Sequence, residues 1–188
     1  LGSYGDGGFL TTKKLSLYQK MRRIRFYGIE QLKPKNKFNK KYYSFEDGIN
    51  SRLDEIQSSI LNLKIKYLKN NIKKKQKIAN IYDENLNLKN LILPQVNKNN
   101  FHSYHQYVVS HKKRGAILKK MKKKGIQLNI IYPYPTHIMP PFRQKIKLNN
   151  TEKFSKTIFS LPIYPDFKKK DQMKIIENLT QIINDNKF

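Results

Sequence analysis

From Ser51 to Leu86 the chain keeps an apolar stripe at helical spacing: Leu53, Ile56, Ile60, Leu63 and Tyr67, then Ile78, Ile81, Tyr82 and Leu86. No other stretch constrains the fold as strongly. Ser51-Arg52-Leu53-Asp54 reads as a capping box that starts the helix, with Glu55 adding negative charge to its first turn. Between the two apolar halves, Lys69 to Lys77 is densely basic and predicts an exposed stretch of one kinked helix.

Shorter elements flank it. Gly7-Gly8 suggests a tight turn into a strand at Phe9-Leu10-Thr11-Thr12. Leu15, Tyr18, Met21 and Ile24 predict a helix that Gly28 stops. The polar, lysine-rich run from Ile29 to Asp47, with Pro34, predicts a long surface loop. Leu91 to Leu93 ends at Pro94, and Tyr104 to Ser110 reads as a strand. Ala116, Ile117, Leu118 and Met121 predict a short helix closed by Gly125. Ile126 to Tyr132 reads as another strand before a proline cluster, and Met173, Ile176, Leu179 and Ile183 mark a last helix. Such alternation indicates an α/β class, with a small α+β domain.

Charge is the next constraint, at +26. It would draw the chain toward nucleic acid or anionic lipid. Arginine, however, is confined to Arg22, Arg23, Arg25, Arg52, Arg114 and Arg143, and lysine supplies the rest. Specific base and phosphate readers rely on the planar guanidinium fork, so solvated lysine faces are the simpler account and no specific nucleic-acid partner is expected. No apolar run reaches the roughly 20 residues of a membrane span, so no membrane partner is expected. Leu1 to Gly8 has no basic n-region of a signal peptide, and cysteine is absent. A cytoplasmic location is the expectation.

Four blocks then carry a resemblance. Leu1-Gly2-Ser3-Tyr4-Gly5-Asp6-Gly7-Gly8 opens the chain, and Gly48-Ile49-Asn50-Ser51-Arg52-Leu53-Asp54-Glu55-Ile56-Gln57 follows. Ile131-Tyr132-Pro133-Tyr134-Pro135-Thr136-His137 and Ser160-Leu161-Pro162-Ile163-Tyr164-Pro165 complete the set. In this order and spacing they resemble the DegT/DnrJ/EryC1/StrS family of sugar aminotransferases, over the whole chain.

The resemblance implies a fold-type I enzyme that uses pyridoxal 5'-phosphate (PLP) to aminate a nucleotide-linked keto sugar for polysaccharide or lipopolysaccharide synthesis. The amino donor is expected to be glutamate, and the enzyme a homodimer with shared active sites. It places residues 1–47 at the end of the large PLP-binding domain, and 48–188 in a linking helix and the small C-terminal domain. The family's Schiff-base lysine, in a Lys-Asn-Leu-Gly context, falls upstream of Leu1, so the fragment is expected to be inactive alone. A dehydratase of the same family, with histidine in place of that lysine, stays open, and so does a basic nucleic-acid-binding module.

Among the residues present, Asn50 is implied to bind the PLP phosphate of the partner's site, its amide being a suitable donor. The competing role is a helix N-cap. Tyr132 and His137 are implied to contact the sugar. Ile131 replaces the family's usual histidine, which removes a donor to a sugar hydroxyl. Arg52 either pairs with Asp54 or Glu55 or meets a phosphate, and Asp6 reads as a turn former. His102, His105 and His111 give no metal-ligand geometry, so no metal is expected.

Overall fold

The computed structural model describes residues 1–30 and 42–185 and divides into two compact units, Leu1–Leu68 and Lys69–Phe188. Pro34 and the rest of the expected loop over residues 31–41 lie outside the described residues.

In the first unit, α1 spans Leu15–Ile24 with Arg22 and Arg23 in its last turn, where cations favour the helix dipole. None of its residues is buried. Gly28, at φ 72°, follows only after Tyr27, itself at φ 56°, so the chain reverses four residues beyond the helix. The segment predicted as loop is partly paired: Ile29 bridges Ser44, and Phe45 donates its N–H to the Gly28 carbonyl at 3.0 Å. Arg23 ties this turn down through Glu46 at 2.6 Å and Glu30 at 3.4 Å. Phe9 to Thr12 is exposed or half-exposed and forms no strand, contrary to expectation.

The long helix α2 covers Glu55–Asn85, 31 residues without interruption. It begins at Glu55 rather than directly after Ser51, because the Ile49 carbonyl and the Ser51 N–H are spent on Tyr27 and Arg25. Its apolar stripe has two fates. Ile78, Ala79, Tyr82 and Leu86 are buried, whereas Ile56, Leu63, Ile65 and Tyr67 stay exposed.

The second unit holds the core. Strands β1 (Tyr107–Ser110) and β2 (Ile158–Leu161) pair antiparallel, with Tyr107 opposite Leu161 and Val109 opposite Phe159. Helices α3 (Arg114–Lys123), α4 (Asn149–Thr157) and α5 (Lys169–Asn184) complete it. Helix α5 delivers Ile175, Ile176, Leu179, Ile182 and Ile183 to that core. Polar groups inside are paired: Gln172 donates to the Ile78 carbonyl at 2.7 Å, Tyr82 to the Pro162 carbonyl at 2.9 Å, and Tyr107 to Asp83 at 2.5 Å. Burial pushes both tyrosine phenols up, and the Asp83 carboxylate adds to the effect at Tyr107.

The predicted strand at Ile126–Tyr132 is reduced to one bridge, Asn129 with Ser160. Among the described residues no helix is long and apolar enough to cross a membrane. The mixed helix-and-strand class expected from the sequence is the one found.

Candidate functional site

The position of Asn50 rests on two glycines. Residues 49–51 run antiparallel to residues 24–27: Ile49 donates to the Ile24 carbonyl at 2.8 Å, Tyr27 to Ile49 at 3.1 Å, and Ser51 to Arg25 at 2.9 Å. This is possible because Gly48 packs onto Gly28. A Cβ on Gly48 would run into the Gly28 nitrogen, and one on Gly28 into the Glu46 carbonyl oxygen. Asn50 thus sits in a bridge with Phe26 and is not a helix cap. Its side chain is exposed, and among the described residues its amide holds no hydrogen bond. Arg52 lies over the Phe26 ring, 5.6 Å from its centroid, rather than against Asp54 or Glu55. In the same unit Tyr4 donates its N–H to Gln57 at 2.8 Å, which links the glycine-rich opening segment to α2.

The second unit carries the other candidates. Tyr132 follows a cis peptide bond from Ile131 and is 77% exposed. His137 lies in a single 3-10 turn, Thr136–Ile138, and is buried. Its Nε2 lies 3.3 Å from Glu152 Oε1, and its carbonyl accepts from Gln144 at 3.0 Å. The same Glu152 oxygen accepts the Leu148 N–H at 3.1 Å. One carboxylate therefore fastens both ends of the loop between residues 137 and 148 to α4.

The Leu148 N–H, and then His137, hold the Glu152 carboxyl below its usual range. A depressed carboxylate stabilises the fold above its unfolded pKa, and that contribution is lost as pH falls through the folded value. Glu152→Gln is expected to flatten the acid-side loosening of this loop, read as the pH dependence of amide exchange at Leu148 and Gln144. An unchanged profile would mean that Glu152 does not fasten it.

Ile131 is half-buried at a cavity of about 210 Å³ that sequence reasoning did not anticipate. His105 and Gln106 before β1, Gln127 and Asn129, and Ser160 of β2 share its wall. The strand-like run from Ile126 to Tyr132 was legible, but its meeting with residues far along the chain was not. The histidines expected not to form a metal site lie apart in role. His102 Nδ1 accepts the Tyr104 N–H, and His111 Nδ1 the Lys113 N–H, each at 3.0 Å. Among the described residues no group of three His, Cys, Asp or Glu is placed to hold a metal.

These two arrangements sit on a fold shared with solved aminotransferases. The structure of S. venezuelae DesV in complex with a ketimine intermediate superposes with a TM-score of 0.87 at 26% identity, over 96% of this chain and 48% of that one. NtdA from Bacillus subtilis, solved with bound cofactor PMP, gives 0.78 at 26% identity over 92% and 41%. The chain belongs to the DegT/DnrJ/EryC1/StrS aminotransferase family, whose model matches residues 1–180. It is 35% identical to the dTDP-3-amino-3,4,6-trideoxy-alpha-D-glucose transaminase of Micromonospora megalomicea subsp. nigra, over 97% of this chain and 49% of that protein. The chain spans about half the length of the curated relatives it matches.

Proposed function

We propose that this chain forms part of an enzyme that transfers an amino group to a nucleotide-linked keto sugar with the help of PLP. The observation that carries the reading is the family match over residues 1–180, with a relative named as a nucleotide-sugar transaminase at 35% identity. When bound, the cofactor supplies an electron sink for the carbon that gains or loses a proton. The residues present suit its phosphate: Asn50 offers an exposed amide donor, and Arg52 adds positive potential beside it. Asn50 would serve the site of a second copy, in a homodimer with shared active sites.

Tyr132, exposed and polar-tipped, would meet the sugar. His137 would act on the same loop, its Nε2 held by Glu152 and its ring fixing the course of the chain beyond Pro135. In this reading residues 1–47 belong to the end of the large cofactor domain, and 48–188 are the linking helix and the small C-terminal domain. Glutamate as donor, a cytoplasmic location and a role in surface polysaccharide synthesis complete it.

The test is to express the chain with the upstream half that its relatives possess and to offer a nucleotide-linked keto sugar with glutamate. Amino-sugar product and 2-oxoglutarate are expected, with a lysine two residues before Leu1. A histidine there, with dehydration and no amination, would sink the aminotransferase in favour of the dehydratase. The competing nucleic-acid reading predicts tight, steeply salt-dependent binding to duplex DNA. Only weak binding that vanishes at physiological salt is expected.

A further inference from the structure

The bridge between Ile92 and Ser110 decides what lies beyond its ends. Each residue donates its N–H to the other's carbonyl at 2.9 Å, and the pairing is antiparallel. The segments that leave it, Lys89-Asn90-Leu91 and His111-Lys112-Lys113, therefore run side by side. With Ile183 and Asn184 of α5 they enclose a cavity of about 350 Å³ in the second unit.

Both segments are fixed by the backbone. Asn90, at φ 65°, closes a turn in which Leu91 donates to the Leu88 carbonyl at 3.1 Å. His111 is buried, and its N–H donates to the Thr157 carbonyl at 3.0 Å. Its Nδ1 accepts the Lys113 N–H at 3.0 Å, and its carbonyl accepts the Arg114 N–H at 3.1 Å. Burial, and then the Lys113 charge, hold the His111 imidazole below its usual range, so at neutral pH it adds no further cation.

Three lysines are thus gathered in one wall. Among the described residues none of Lys89, Lys112 and Lys113 has an ion pair, and the wall holds no Asp or Glu. Asp185, next to Asn184, is exposed and lies outside the wall. Lys112 and Lys113 also stand at the entrance to α3, whose first turn carries no acid, and there cations oppose the helix dipole. Like charges on facing segments destabilise as well. A solvated lysine face spreads its charges apart, whereas here the backbone pairing keeps them together.

We propose that this cavity binds a phosphoryl group, carried by a small phosphorylated metabolite or present as free phosphate. The inference does not depend on the aminotransferase reading. A dianion compensates the clustered charge better than a single carboxylate does, and lysine meets phosphate as a point charge. Asn90 and Asn184 add amide donors for further oxygens. The volume lies at the low end of the roughly 300–1,000 Å³ typical of small-molecule sites, which leaves room for a small organic group beside the phosphoryl.

The test is a two-dimensional amide NMR titration of the chain with inorganic phosphate, glucose 1-phosphate and glucose. The two phosphates are expected to shift the backbone amides of Lys112 and Lys113 and the side-chain amides of Asn90 and Asn184, and glucose is expected to shift none of them. Tighter binding of glucose 1-phosphate identifies a phosphorylated metabolite as the source, and equal affinities identify free phosphate. Lys112→Gln with Lys113→Gln should weaken both phosphates by at least about tenfold, the scale of one lost hydrogen bond to a charged group. Lys119→Gln with Lys123→Gln removes the same charge from exposed positions of the same helix and should cost less than about twofold, because distant exposed charges are screened. Without ligand, the Lys112→Gln, Lys113→Gln variant should melt above the parent, since the facing like charges are gone. Phosphate should raise the Tm of the parent and not that of this variant. Shifts spread over the lysine-rich faces of α2, α3 and α5, equal losses in the two double variants, or no shift at these four residues would overturn the inference.

Discussion

Phe159→Ala is expected to destabilise the second unit by about 3–5 kcal/mol, the range for removing a fully buried aromatic. Phe159 has no exposed surface and stands opposite Val109 at the centre of the β1–β2 pair. A pair of strands alone is marginal in water. What holds this one is its inward face, where Phe159 and Leu161 alternate on β2 and meet Tyr107 and Val109 on β1. Removing the largest of the β2 side chains leaves a cavity that helices α3 and α5 cannot both collapse into, since each is also fixed elsewhere in the core. Domains of this size have a total stability of about 5–15 kcal/mol, so the loss is a large share of it. Urea unfolding followed by tyrosine fluorescence reads the effect, because the chain has no tryptophan. Phe154→Ala, at a site 43% exposed on α4, should change stability by less than about 0.5 kcal/mol. Equal midpoints for the two variants would show that the core is not centred on the sheet.

The elements that were legible in the sequence are those whose period alone specifies burial. Helix α5 was visible because Met173, Ile176, Leu179 and Ile183 repeat on one face, and α3 because Gly125, at φ 72°, ends it where expected. The start of α2 was misplaced because a capping box is a local signal, whereas Ser51 is claimed by a non-local bond to Arg25. Helix α4, with Phe154 as its lone large apolar residue, has no stripe to read. The alternation of Ile126 to Tyr132 was real, but only Asn129 finds a partner strand, so the pattern lines a cavity and does not build a sheet. Strand β2 was recognised only as part of a block ending in Pro162 and Pro165. In the candidate site, Asn50 and Tyr132 stood out through their blocks. Glu152 did not, because its role depends on a loop that returns from residue 137 to α4.

Asn50→Ala, in the protein carrying its upstream half, is expected to weaken PLP binding by roughly 10- to 100-fold. That is the scale of one hydrogen bond to a charged group, about 1.5–3 kcal/mol. The sharper prediction concerns Gly48, which touches no ligand in this reading. Its Cβ would collide with the Gly28 nitrogen and lie 2.5 Å from the Tyr27 carbonyl carbon, and both are backbone atoms with no rotamer to yield. Gly48→Ala must therefore push residues 48–51 off residues 24–27 and carry the Asn50 amide with them. A loss of PLP affinity close to that of Asn50→Ala is expected, with the amide chemically intact. Gly115→Ala, where an added Cβ meets nothing within 4 Å, should leave affinity unchanged. Fluorescence titration of PLP into the three variants, with circular dichroism to confirm that each is folded, reads all of this. Should folded Gly48→Ala bind PLP as the parent does while Asn50→Ala does not, the amide would matter and the glycine contact would not be what aims it. Should Asn50→Ala itself bind normally, the phosphate would have to be held by other groups, and the exposed amide would have no part in cofactor binding.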